Sequence, residues 1–218
     1  MKRIIIKLEE IWEIAKKKGV LKAFKILIGL IIFHKMVSLV YETKLNLPIK
    51  KVVWDKKEKV LIYNSKNYNS IPKKLIDSLG GKRALEYIEG IKYEDILFVV
   101  KKNNEYVYHG FVMFNSRENK IMGEENKIPL IGNCFTSPAA RGHSIYTRIL
   151  NEKLRYLRDK GYLKATVETH PENIASRKGI EANHFKLKRE VYSFVFFDKL
   201  AFQFIKSKEG NKFKIKIV

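Results

Sequence analysis

The chain has 218 residues, one cysteine and a formal net charge of +21. Hydrophobic residues at 45% and aromatic residues at 12% exclude a disordered polyelectrolyte. A lone cysteine excludes an internal disulfide framework and suits a reducing compartment, while the excess of lysine points to a polyanionic partner: anionic lipid, nucleic acid or a phosphate-bearing substrate.

Residues 1–40 read as helix. Ile4, Ile5, Leu8, Ile11, Trp12 and Ile14 recur at helical spacing, and Gly19 breaks the pattern before a very apolar stretch from Val20 to Tyr41. The uninterrupted run Ile26 to Phe33 is too short to span a bilayer. Two readings compete: an interfacial anchor that uses residues 1–41 on an anionic membrane surface, or a core-facing helix pair with solvated lysines. No small-residue cleavage site follows the run, which argues against a cleaved signal peptide.

Between 45 and 90 the signals are weaker. Val52 to Trp54 and Val60 to Tyr63 read as strands joined by a hairpin-type turn, Pro72 to Leu79 as a short helix, and Ala84 to Glu89 as a helical turn ended by Gly90. From Ile91 the pattern sharpens. Strands are expected over Asp95 to Val100, Glu105 to Asn115, Ile128 to Thr136, Lys164 to Thr169, Phe185 to Leu187 and Glu190 to Phe197. An amphipathic helix is expected over Gly142 to Lys160 and a short one over Asn173 to Glu181. Lys212 to Val218 alternates lysine with apolar residues, as an edge strand or a basic tail. This order gives an α+β fold with a mixed sheet, as a domain over 45–218 preceded by a helical extension over 1–44.

Asn133 to Phe185 carries the chemistry. A strand ends at Thr136, a loop turns at Arg141-Gly142, and a helix follows. The free N–H groups of a helix start attract phosphate, and Arg141 beside them adds a forked cation. The run Thr136 to Tyr146 lies on the frame aliphatic-x-Pro-x-x-Arg-Gly-x-Gly-Ile-Gly, and Asn173 precedes Phe185 by twelve residues, with His184 before the Phe. On these motifs, residues 91–200 resemble the Gcn5-related N-acetyltransferase (GNAT) superfamily. The resemblance implies a mainly antiparallel sheet whose two central strands, flanked by helices, splay apart to admit the pantetheine arm of acetyl-CoA. It also implies contacts to the coenzyme from Cys134, Phe135, Thr136, Arg141, Gly142, His143, Ser144, Ile145, Tyr146, Asn173 and Ser176.

Three positions depart from the family pattern. Ser144 replaces a glycine and keeps a close phosphate approach open if its φ is negative. Tyr146 replaces a small residue and must point away from the pyrophosphate. Ile180 stands where many members place a tyrosine acid, seven residues after the Asn. The catalytic candidates are therefore Glu168 and His170 at the end of a strand, Ser176 near the thiol, and Tyr192 as an alternative acid. The backbone N–H of Phe135 or Thr136 is the oxyanion donor candidate. Glu124 and Glu125 are minor candidates for a base. Asn173 reads both as a coenzyme ligand and as a helix N-cap. Cys134 reads as a strand residue rather than a nucleophile, and the histidines lack metal-ligand spacing, so no metal is expected.

The leading functional reading is an acetyl-CoA-dependent N-acyltransferase in the cytoplasm, or peripheral at the inner face of the membrane. The loop is also similar to members acting in bacterial surface-polysaccharide pathways, whose acceptors are amino sugars on nucleotides or lipid carriers. Two alternatives stand beside it: a catalytically impaired module binding anionic membrane or nucleic acid, and a protein or peptide N-acetyltransferase. No nucleic-acid motif is found, so lipid ranks above nucleic acid. The acceptor and the oligomeric state are left open by the sequence.

Overall fold

The structure, a computed structural model, describes residues 33–79, 82–114, 128–196 and 200–217 and a few isolated positions outside them. Most of the expected N-terminal helix, and Glu124 and Glu125, lie outside the described residues. The chain divides into two compact units, residues 39–188 and residues 1–38 with 189–218.

In the larger unit, β2 (Glu58–Tyr63), β3 (Ile96–Lys102), β4 (Glu105–Met113) and β5 (Leu130–Thr136) form an antiparallel run. Next, β6 (Lys164–Thr169) joins β5 in parallel, and β1 (Phe33–Lys44) lines the far side of β6 antiparallel, with Leu39 opposite Thr169 and Lys44 opposite Lys164. Among the described residues, four α-helices punctuate these strands: α1 (Lys73–Ser78), α2 (Lys82–Tyr93), α3 (Ile145–Asp159) and α4 (Ile174–Glu181). This is the expected α+β architecture with a mixed, mainly antiparallel sheet. In the smaller unit, β7 (Lys186–Phe196), β8 (Leu200–Ser207) and β9 (Gly210–Ile217) form an antiparallel meander.

Helix α3 is dictated locally. It contains no glycine or proline, and Ile145, Ile149, Leu150, Leu154 and Leu157 recur on one stripe and are all buried. Each such side chain contributes about 2 kcal/mol by leaving water. The stripe packs in one core with Phe98, Val100 and Val112 of the antiparallel run and Ile131, Ala165 and Val167 of the parallel pair. The helix stops in a Schellman turn: Gly161 has φ +83°, its N–H reaches the Arg158 carbonyl, and the Tyr162 N–H reaches that of Leu157.

Three local expectations are corrected. Residues 33–40 are strand, not helix. So short a mixed stretch carries no clear helical period, and from Leu39 onward the ladder with β6 holds it extended. Val52 to Trp54 is not a strand. Instead Trp54 serves α3: its indole Nε1 donates to Glu152 at 3.4 Å, and the Arg148 guanidinium lies 4.5 Å from its ring centroid. Gly90 does not end a helix, because α2 runs on to Tyr93. That glycine leaves room for Asp95, whose Oδ2 would lie 2.6 Å from a Cβ there and whose Oδ1 accepts from the Phe114 N–H.

Candidate active site

The loop between β5 and α3 is built by backbone. Ser137 N–H anchors it to the Val107 carbonyl at 2.9 Å, and Pro138–Ala140 make one 3-10 turn. Arg141 is exposed, and its Nε donates back to the Thr136 carbonyl at 3.2 Å. Gly142 has φ +83° and Ser144 φ +56°, so the chain turns left-handed twice before α3 begins. The condition of a negative φ at Ser144 is not met: the serine adopts the conformation a glycine would take freely, at a cost of about 1–2 kcal/mol. His184, in place of the glycine before Phe185, does the same with φ +62°. Both departures from the family pattern keep the backbone path and change only the side chain. A Cβ at Gly142 would meet nothing within 4 Å, so that face is open. By helix geometry the amides of Ile145, Tyr146 and Thr147 have no intrahelical acceptor. The Ile145 side chain is core.

A buried bidentate pair fixes this helix start. Arg148 donates to Glu58 at 2.5 and 2.9 Å and to the His143 carbonyl at 3.4 Å. The guanidinium holds the Glu58 carboxyl below its usual range. Arg148 is therefore committed to the scaffold, leaving Arg141 as the exposed cation of the loop.

Beneath the loop, β5 and β6 separate. Their ladder covers only Leu130 with Thr166 and Ile131 with Val167. Beyond it β5 bends toward β4 through a register shift at His109/Phe111, with Asn133 at φ +49°. From Gly132 onward β5 has no ladder partner on its β6 side among the described residues. This is the divergence that the resemblance implies.

The gap is lined by side chains from several elements. Lys153 on α3 is fully buried and donates to Tyr108 Oη at 3.1 Å, to the Phe111 carbonyl at 3.3 Å and to Cys134 Sγ at 3.6 Å. Burial lowers its pKa and raises that of Tyr108 well above the phenol range. Gly110 makes room for the cluster, since a Cβ there would lie 2.4 Å from Tyr108 Oη, 2.8 Å from Cys134 Sγ and 2.9 Å from Lys153 Nζ. His109 stacks at 5.3 Å on the exposed Phe135, and its pKa is held down at about 4 by burial and then by Lys153, so it is neutral at pH 7. The Tyr146 ring lies against Gly179 of α4, whose Cβ would sit 2.7 Å from its Cδ1. Its phenol faces Cys134, the Ser176 hydroxyl and Glu168, and burial raises its pKa further above the phenol range.

Among the sequence candidates, the structure gathers Cys134, Glu168 and Ser176 around Tyr146. Glu168 is half-buried on β6 opposite Val40. Asn173 caps α4, its Oδ1 accepting from the Ser176 N–H at 3.1 Å. His170 is exposed, and its Nδ1 accepts from the Glu172 N–H at 3.4 Å. Arg141, Gly142, His143 and Ser144 are all exposed in the loop, and Thr136 is half-buried below it. Ile180, where the family places a tyrosine, is fully buried in the core. Tyr192 belongs to the smaller unit, where its hydroxyl donates to Glu190 at 2.7 Å. Sequence reasoning missed Lys153, Tyr108, His109 and the Arg148–Glu58 pair. Only Lys153 left a signal: it falls on the apolar stripe, four residues after Ile149.

These features fit a coenzyme A thioester. The open left-handed turns, the free first-turn amides and Arg141 suit a pyrophosphate, and the widening gap suits a narrow pantetheine arm. A buried acceptor also awaits a partner on the α3–α4 seam. Asn183 spends its amide N–H groups on Thr147 and Gly179, leaving Oδ1 without a protein donor. No group of His, Cys, Asp and Glu suited to a metal ion occurs among the described residues.

The comparisons agree with this geometry. A Drosophila protein of known structure superimposes with a TM-score of 0.55 at 8% identity, over 82% of this chain and 58% of that one. An acetyltransferase of the GNAT family from Colwellia psychrerythraea gives 0.51 at 15% identity, over 79% and 61%. At these identities the likeness is one of fold, and this chain spans less than two thirds of either structure's length. No curated protein sequence matches the chain. Residues 70–185, more than half of the sequence, match the acetyltransferase (GNAT) family, and the chain belongs to it.

Proposed function

We propose that this protein transfers an acetyl group from acetyl-CoA to an amine. The observation that carries the reading is the loop Arg141–Ser144, with two left-handed turns and free first-turn amides, directly above the place where β5 and β6 part. The loop binds the pyrophosphate, and the gap leads the thioester toward Cys134, Phe135 and Thr136. The backbone N–H of Phe135 or Thr136 serves as the oxyanion donor. Glu168 and the neutral His109 are the bases available to a bound amine. His170 and Tyr192 remain candidates on the acceptor side.

For the acceptor we favour an amino sugar linked through a diphosphate to a nucleotide or a lipid carrier. The support is charge: a net +21 exceeds what one coenzyme needs. Attachment to an anionic membrane has its own support in β9, where Phe213, Ile215 and Ile217 are exposed beside Lys212 and Lys214. No helix among the described residues is long and apolar enough to cross a membrane.

Calorimetry with acetyl-CoA tests the core of the reading. Micromolar binding by wild type, weakened in the double variant Arg141→Ala with Asn173→Ala, supports it and directs a screen toward nucleotide-linked amino sugars. No heat at millimolar coenzyme from a folded protein rejects it.

A further inference from the structure

Tyr146 is anomalous. A phenol stands at a helix start whose neighbours otherwise serve phosphate, yet its side chain leaves the loop and runs down between α3 and α4. Gly179 has no side chain, which lets the ring lie flat on that helix. Its phenol then comes within hydrogen-bonding reach of Ser176 on α4 and into electrostatic range of Cys134 on β5 and Glu168 on β6. Cys134 and Glu168 lie on the two strands beyond their last paired residues, Ile131 and Val167, so the phenol faces the ends where the strands part.

Resting on the acyl-transfer reading, we propose that Tyr146 is a catalytic residue that donates a hydrogen bond to the departing sulfur of the coenzyme, with Ser176 holding the phenol in place. As the amine's N–C bond forms, the C–S bond breaks and its electron pair goes to sulfur. The phenol stabilises the negative charge developing there, since hydrogen bonds to ionised acceptors are the strong ones. The proton shed by the amine nitrogen ends on the sulfur, directly or through water. The products are the amide and the free thiol, and Tyr146 is unchanged. Burial keeps the phenol protonated across the working pH range, which a donor requires. Ile180 offers no such group, being buried and apolar. Ser176 also has a second anchor, because its own N–H is fixed on Asn173 Oδ1. The phenol is thus held by a serine whose backbone is fixed by Asn173, the cap of α4.

The test needs no acceptor. Coenzyme A is titrated while bound to wild type, to Tyr146→Phe and to Ser176→Ala, and the thiolate is followed by its ultraviolet absorbance. Calorimetry at neutral pH checks binding and a thermal melt checks folding. A phenol that stabilises the sulfur anion lowers the thiol pKa, so the bound thiol is expected to titrate about one unit lower in wild type than in Tyr146→Phe. Ser176→Ala is expected to fall between the two. Equal thiol pKa values in wild type and Tyr146→Phe overturn the proposal while leaving the acyl-transfer reading intact. Much tighter binding by Tyr146→Phe also overturns it, because the phenol then obstructs the arm. Wild type that binds no coenzyme A overturns both.

Discussion

The loop above the gap and the gap beneath it are contiguous in space and opposite in construction. The loop is exposed, its shape is set by backbone at Gly142 and Ser144, and one cation, Arg141, completes it. The gap is a junction of side chains from β4, β5, β6, α3 and α4, centred on a fully buried lysine. A surface site made of backbone tolerates side-chain change, as Ser144 shows by holding φ +56° without being glycine. A buried polar cluster tolerates little, because every donor it loses leaves an acceptor that water cannot reach. Substitutions in the gap are therefore expected to act on stability, and substitutions in the loop on binding.

Lys153 gives the largest effect. Lys153→Ala removes the donor for Tyr108 and Phe111 and opens a cavity, an expected loss of about 3–5 kcal/mol in urea unfolding. Lys153→Met fills the same space without charge and is expected to stay within about 1.5 kcal/mol of wild type. An Ala variant as stable as Met would erase the contrast between gap and loop.

The pH dependence comes next. His109 titrates near 4 in the folded chain and near 6.5 when unfolded, so its contribution is fully present above pH 6.5 and is lost as pH falls toward 4. With partial exposure, that loss is on the order of 2 kcal/mol. His109→Phe keeps the stack on Phe135 and is expected to flatten the fall in stability between pH 6.5 and 4, as read from urea midpoints. An unchanged slope would place the titration elsewhere.

Gly110→Ala drives a methyl into Tyr108, Cys134 and Lys153, with an expected cost of about 1–3 kcal/mol. In the loop, Arg141→Ala is expected to weaken coenzyme binding about tenfold in calorimetry, with stability changed by less than about 0.5 kcal/mol. Ser144→Gly is the smallest effect. Release from the left-handed strain is partly offset by the greater freedom of unfolded glycine, for a net gain of about 0.5–1 kcal/mol, readable as a small rise in thermal midpoint. A Ser144→Gly variant that lost coenzyme binding would show that the serine hydroxyl, and not only the turn, serves the loop.

What the sequence determined by itself was local. The α3 stripe, the Arg141-Gly142 turn, the strand Lys164–Thr169 and the Asn173 cap are each written in neighbouring residues, through apolar period, glycine and capping chemistry. So was the order of elements, and with it the resemblance to the acetyltransferase family. Tertiary structure decided what spacing along the chain cannot encode. Leu39–Lys44 is strand because β6 offers it a ladder. Trp54 is scaffold because Arg148, far along the chain, lies over its ring. Lys153, Tyr108, Gly110 and Cys134 become one cluster only where two strands part above a helix. Periodicity records which residues leave water. Which buried polar groups then face one another depends on how the elements pack, and that laid Tyr146 against Gly179 of α4.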